Sequence, residues 1–239
     1  MLLGNVLRHI AEETVYALVD SKQEKQTLSG LFAKSSSGIK PNIVQNSSAN
    51  PQAFEIDNLR FERIVGRNVL QKHAEKTVFL EKLKQWILPK GFFVFGETVP
   101  ALGQRLSGLI PDELLQPDFR KLLEDAEEGI YNDAENPRSN WTPATLRTEL
   151  ESANWNITRW QIKEFRTPTL IRSAQIEQWF ETPENSPHSS YGQRLSANLS
   201  SEELIYLRNI FRNEVAGKVV EWRSVSLFME LCNKTVHEA

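Results

Sequence analysis

Arg67 and Asn68 stand directly after Phe61-Glu62-Arg63-Ile64-Val65-Gly66, which reads as the strongest strand in the sequence. In α/β sheets the carboxyl ends of central strands face the ligand crevice, so this pair is the first place to look for chemistry. Asn68 is suited either to hydrogen-bond a substrate or to orient the next helix. Arg67 is suited to a phosphate or to an acid. His73 follows at a helix start, where a general base and a solvent-facing histidine are both consistent with the residue type. Glu97 closes a second apolar run, Phe92-Phe93-Val94-Phe95-Gly96, and either points into the same crevice or caps a loop. Asp20 closes a third, Val15-Tyr16-Ala17-Leu18-Val19, as a crevice ligand or as an acid favoured by a helix N-terminus. Elsewhere, Trp160 lies among Arg159, Lys163, Arg166 and Arg172, the one segment where cations and aromatic rings interleave. That stretch reads as a phosphate-contacting face or as a half-solvated edge strand.

The elements that must position these residues alternate. The strand at 15–19 is followed by a helix capped by Ser21 with Leu28, Leu31 and Phe32 inward, and then by a weaker strand over Ile39 to Val44. After the 61–66 strand, Val78, Phe79, Leu83, Trp86 and Ile87 give helical spacing over Glu75 to Leu88, stopped by Pro89-Lys90-Gly91. The strand at 92–95 follows. This alternation predicts a parallel sheet with helices on both faces, with 15–19, 63–66 and 92–95 adjacent and parallel. Trp86 and Trp179 fall at core spacing.

The second half differs. A helix is expected over Asp112 to Glu128 with Leu114, Leu115, Phe119, Leu122, Leu123 and Ala126 inward. From Asp112 to Glu135 nine acids face two bases, which reads as a solvated face. Thr142-Pro143 starts a further helix, Ile157 to Phe165 a strand, Ser173 to Phe180 a helix, Ser200 to about Glu214 another, and Gly217 to Leu227 the last strand. Pro183 to Asn198 reads as a loop. Gly103-Gln104-Arg105-Leu106-Ser107 recurs as Gly192-Gln193-Arg194-Leu195-Ser196. The repeat is either a turn with Arg paired to carboxylates and Ser capping, or two equivalent anion-contacting turns. The expected organisation is 1–111, 112–140 as an acidic helical insertion, and 141–239 as the remaining strands and helices of the same domain.

Composition sets the bounds. With 239 residues, 40% apolar, 25% charged and a net charge of −3, the chain affords a core and carries no global positive field. One cysteine, Cys232, and four scattered histidines exclude a disulfide framework and predict no metal site. No apolar run is long enough for a membrane span, and Met1-Leu2-Leu3-Gly4 meets Asn5 and Arg8 at once, unlike a signal peptide. Cytoplasm is the expected compartment.

The order of elements resembles a class I S-adenosylmethionine-dependent methyltransferase. Arg8-His9-Ile10 through Asp20 looks like that family's first helix and second strand, and Phe61 to Asn68 like its fourth strand and following loop. Leu80, Leu83 and Trp86 through Glu97 look like its fourth helix and fifth strand. Trp141-Thr142-Pro143 through Asn154-Trp155 resembles the helix and turn that lead into an antiparallel strand. The resemblance implies a Rossmann-like sheet, mostly parallel with an antiparallel last strand. It gives Asp20 the ribose hydroxyls of the cofactor, and places Gly66 and Arg67 beside the cofactor and Asn68 and His73 as catalytic candidates. The family's first strand and its GxGxG loop have no counterpart: no two of the eleven glycines are separated by one residue. The chain begins where that loop ends, so the first strand is expected upstream in a longer parent, or lost.

Tyr16-Ala17-Leu18-Val19, Arg63 to Leu70 and Pro100-Ala101-Leu102-Gly103-Gln104-Arg105-Leu106-Ser107 are also similar to the extra C-terminal domain of a clamp-loader-like AAA+ ATPase of replication-associated recombination. That resemblance implies an upstream ATPase as partner and a role in DNA recombination and repair, with no S-adenosylmethionine bound by this chain alone. The alternative is an active methyltransferase that uses this cofactor and takes its glycine loop from outside the chain. Nucleic acid through Arg159, Trp160, Lys163 and Arg166 is the further partner considered; no membrane is expected.

Overall fold

The computed structural model describes residues 14–19, 21–33, 40–45, 59–181 and 189–233. Strand β1 (Tyr16–Val19) and helix α1 (Lys22–Ala33) lead to β2 (Asn42–Gln45). β3 (Phe61–Arg67), α2 (Lys76–Lys84) and β4 (Ile87–Thr98) form the next unit. Then come α3 (Pro117–Tyr131), α4 (Pro143–Ser152), β5 (Trp155–Leu170), α5 (Ser173–Phe180), α6 (Tyr191–Leu195), α7 (Ser201–Ile210) and β6 (Val219–Asn233).

The architecture is α/β, a Rossmann-like mixed sheet flanked by helices. β3 and β4 are parallel neighbours, as expected, with Arg63 opposite Phe92 and Arg67 opposite Gly96. β6 lies between β4 and β5 and runs antiparallel to both, so the expected antiparallel last strand is present. β1 departs from the expectation. It pairs in parallel with β2 in a two-stranded sheet, and among the described residues it shares no ladder with β3. The Tyr16 and Phe61 rings meet edge-on, 5.5 Å apart.

Local sequence explains several boundaries. Thr142 accepts the Thr145 N–H at 3.2 Å while Thr145 accepts the Thr142 N–H at 2.9 Å, and Pro143 occupies the first helical position of α4. Ser200 and Glu203 form the same reciprocal cap on α7. α2 ends earlier than the periodicity predicts because β4 starts at Ile87 and runs through Pro89. There the pairing shifts register: Phe61 faces Ile87 but Arg63 faces Phe92. Gly91 permits the crossing, since a Cβ would lie 2.7 Å from the Glu62 carbonyl oxygen. β5 and β6 are both longer than expected, and the loop over 183–198 contains α6, capped by Ser190. α7 continues into a wider turn over Phe211–Val215. The helix expected over 112–128 is a short turn over Asp112–Leu114 followed by α3, with Leu122 turned outward. α1 forms but buries no residue.

Two apolar clusters result. The first lies on one face of the four-stranded sheet, where Phe93 and Phe95 of β4 and Val225, Leu227, Met229 and Leu231 of β6 meet Leu80 of α2 and Leu146 and Leu150 of α4. The second joins α3, α5, α6 and α7, with Val220 and Trp222 of β6 packed against it. Trp179 belongs there, 5.6 Å from Phe211. Trp86 sits in the first cluster at 6% exposure. Trp86→Ala is expected to cost about 3–5 kcal/mol in urea unfolding; a loss under about 1 kcal/mol would show that the surrounding helix and sheet close over the gap.

Candidate functional site

The carboxyl ends of β3 and β4 meet in a network of polar groups. Asn68 has φ 54°, a left-handed backbone that asparagine tolerates better than most residues. Its N–H donates to the Gly96 carbonyl at 3.0 Å, and its Oδ1 accepts the Thr98 N–H at 2.8 Å and Gln71 Nε2 at 3.1 Å. Asn68 therefore holds the strand-to-turn junction together. Glu97 caps the turn that follows: its Oε1 accepts the Val69 and Leu70 N–H groups at 2.8 and 3.2 Å. Glu97 is fully buried, and its Oε2 has no hydrogen-bond partner among the described residues. Burial pushes its carboxyl up to about 7, against the pull of the Leu70, Val69 and Gln71 amides and of Lys76.

Lys76, which sequence reasoning missed, is buried beside this turn. Its Nζ donates to Asn140 Oδ1 at 2.7 Å and to the His73 and Pro137 carbonyls at 3.1 Å each. Burial lowers it to about 8, opposed by Glu149 and Glu97. His73 stacks on Phe79 with ring centroids 3.7 Å apart. Its imidazole is thus half-buried against the helix that follows. Gly66 and Arg67 lie on opposite faces of β3. Gly66 faces the core, where a Cβ would meet Phe95 and Val69 at 2.7 Å; Arg67 faces away, opposite Gly96. Asp20 falls outside the described residues.

The basic stretch is also divided between two faces. Arg159 and Lys163 stand opposite Glu230 and Ser226 on the face away from the core. Trp160 stands opposite Met229, packs against the core and has Arg147 5.8 Å above its ring. Arg166 is bound to Glu164 and Glu221 at 2.7 and 3.2 Å. Four neighbours in sequence therefore do not form one surface, because a strand sends alternate side chains to opposite faces.

A second buried acid, Glu127, was hidden in the acidic helix read as solvated. At 1% exposure it accepts the Leu106 and Ser107 N–H groups at 2.6 and 3.0 Å. Beside it Arg105 pairs with Glu128 and lies 3.8 Å over the Tyr131 ring. The first copy of the five-residue repeat is thus a turn tied to carboxylates. The second begins inside α6, so the copies are not equivalent sites. Among the described residues no group of acids, histidines and cysteines is placed to hold a metal, and no helix is long and apolar enough to cross a membrane.

No family model matches the sequence, and no curated protein matches it. Solved structures do match. A candidate methyltransferase from Bacillus halodurans C-125 superposes with a TM-score of 0.50 at 12% identity, covering 92% of this chain and 82% of its own. The chain has a Rossmann-like, methyltransferase-type fold. A protein from Bacillus subtilis matches with a TM-score of 0.47 at 6% identity, covering 92% of this chain and 82% of its own. A plantazolicin methyltransferase in complex with SAH gives 0.42 at 14% identity, covering 95% and 71%. Of the residues expected beside the cofactor, Gly66 faces Phe95 and Val69 and Arg67 points to the other side of the sheet.

Glu97 makes a pH signature. Its folded value, about 7, lies above the ordinary 4.5, so the unfolded chain loses this proton first as pH rises. Stability then falls between about pH 4.5 and 7, and the loss is complete above that window. Glu97→Gln keeps an acceptor for the two amides and removes the titration. In urea unfolding, the variant is expected to gain about 2–3 kcal/mol on the parent protein between pH 5 and pH 8. A difference that stays constant with pH would contradict the assignment. Lys76 leaves this window nearly flat, because its folded and ordinary values, about 8 and 10.5, lie at or above the top of it.

Proposed function

We propose that this chain is a methyltransferase-like accessory domain that does not transfer a methyl group by itself and serves a replication- or recombination-associated ATPase. The observation that carries the accessory reading is the use to which the crevice residues are put. Asn68 Oδ1 accepts the Thr98 N–H and Gln71 Nε2, and Glu97 Oε1 accepts the Val69 and Leu70 N–H groups, so both oxygens serve the turn they border. An oxygen so committed would have to break those bonds to bind a substrate, and an unmade bond at a buried amide costs about 1–3 kcal/mol. The sequence supports the same reading, since no two glycines are separated by one residue, and a turn that lets backbone amides approach a cofactor needs residues without a Cβ. The ATPase part of the proposal rests on the sequence similarity of 16–19, 63–70 and 100–107 to the extra domain of such an ATPase.

A second reading has one observation in its favour. In doubly wound sheets the first strand lies between the second and the fourth, at the switch point where ligands bind. β1 and β3, which correspond to the second and fourth strands of the family, share no ladder among the described residues. A strand and glycine loop from outside this chain would complete an active methyltransferase at that place. Isothermal titration of the chain with S-adenosylmethionine and S-adenosylhomocysteine separates the two. No saturable heat is expected below about 100 µM ligand. Micromolar binding requires about 8 kcal/mol, which isolated hydrogen bonds of about 0.5–1.5 kcal/mol each do not supply. Binding at ten micromolar or tighter, abolished by Asp20→Ala, would overturn the accessory reading and establish the enzyme.

A further inference from the structure

We propose that the face of the four-stranded sheet turned away from the core binds single-stranded nucleic acid. The inference is independent of the methyltransferase question and rests on what the strand register gathers there. One row across the sheet runs Arg67, Gly96, Phe228, Gln161; the next runs Val65, Val94, Glu230, Arg159. Arg63 and Phe92 extend the face on one side, and Lys163 and Phe165 on the other. It therefore carries four cations, Arg63, Arg67, Arg159 and Lys163, against one carboxylate, in a chain whose net charge is −3. Glu230 is itself engaged, accepting the Thr158 hydroxyl at 2.6 Å. None of the four cations forms an ion pair with a described residue.

Aromatic rings lie between those charges. Phe165 and Phe228 are 42% and 37% exposed, large values for phenylalanine on a sheet. Their centroids are 6.4 Å apart, edge to face, and Lys163 Nζ lies 5.9 Å from the Phe228 centroid. Arg63 stands 5.2 Å over Phe92 in the same manner. Gly96 leaves room beside Phe228, where a Cβ would approach the ring to 3.3 Å. A groove of about 220 Å³ runs among Arg159, Gln161, Lys163, Phe165, Phe228 and Glu230.

Exposed rings interleaved with unpaired cations suit a ligand that offers flat apolar faces and regularly spaced negative charges. Single-stranded nucleic acid has both: bases stack on aromatic rings while phosphates meet Arg and Lys. A duplex keeps its base faces stacked inside and would leave the rings unmatched. An apolar protein segment would bury the four cations without partners, which is costly. Four strands at about 4.8 Å spacing span about 14 Å, room for about two or three splayed nucleotides.

The test is fluorescence anisotropy of the full chain with labelled oligothymidylate and oligouridylate of about 15 nucleotides and a duplex of equal length, at about 50 mM salt. Saturable micromolar binding to the single strands is expected, at least about 10-fold tighter than to the duplex. Four phosphate contacts predict a salt slope near −3 on logarithmic axes. The relative affinity of the two oligomers assigns the ligand as DNA or RNA. Phe228→Ala is expected to weaken binding about 10-fold, and Arg159→Glu with Lys163→Glu by more. The charge changes lie on exposed positions, so they test the proposal even where Phe228→Ala lowers the melting temperature. Absence of saturable binding below about 200 µM protein would overturn the proposal. So would duplex binding as tight as single-strand binding, or folded charge variants that bind like the parent.

Discussion

The alternation of β6 is the constraint on which the rest of the structure depends. Val225, Leu227, Met229 and Leu231 point to one side and close the first apolar cluster. Between them, Ser224, Ser226, Phe228 and Glu230 must then point to the other. Because β6 is hydrogen-bonded on both edges, its register fixes β4 on one side and β5 on the other. A slip by one residue would turn four buried aliphatic side chains outward, at about 1.5–3 kcal/mol each. The N-terminal part of β6 pairs with β5 beyond the end of β4 and carries Val220 and Trp222 to the second cluster. One strand thus ties the two clusters together.

Much of this was legible in the sequence. The Phe61 to Gly66 strand pattern matched β3, the apolar run Phe92 to Phe95 fell inside β4, and the Thr142-Pro143 cap marked the start of α4. Trp86 fell on the inner stripe of its helix because local periodicity and tertiary packing agree there. The partnership of β1 was not legible, because a run such as Tyr16-Ala17-Leu18-Val19 specifies a strand but not its neighbour. The early end of α2 was hidden for a different reason. Ile87 and Leu88 satisfy helical spacing, and only the pairing of Ile87 with Phe61 in the sheet overrides it. The acidic segment misled by its net charge. Glu127 differs from the acids around it only in facing Leu106 and Ser107, a contact across 20 residues or more that no local pattern announces.

For the candidate site, the sequence placed residues along the strands but not on their faces. Asn68 and Glu97 meet at the carboxyl ends of adjacent parallel strands, while Arg67 points to the other side of the sheet. Residue type cannot say whether an asparagine there meets its own backbone; the hydrogen bonds from Thr98 and Gln71 to its Oδ1 show that it does. In the basic stretch, composition counted Arg159, Trp160, Lys163 and Arg166 as one group. Strand geometry separates them, and it brings Arg63 and Arg67 in from β3 instead. The period of two was visible in the sequence; which strands would lie side by side was not.

The network around Glu97 also explains why a carboxylate, and not an amide, closes this turn. Two consecutive N–H groups, those of Val69 and Leu70, converge on one oxygen. An acceptor facing two donors gains from negative charge, while the dry surroundings resist it. Burial outweighs the amides, which is why the carboxyl sits at about 7, above its ordinary 4.5. Lys76 is held in the same way from the cationic side, solvated by two carbonyls and an amide oxygen in place of water. Each group hydrogen-bonds to neutral dipoles, with the opposite charge of the other acting on it without a direct ion pair. Polar chemistry at this end of the sheet is therefore turned inward, towards the chain's own amides and carbonyls. The cations of the opposite face have no such partners among the described residues and remain directed at solvent.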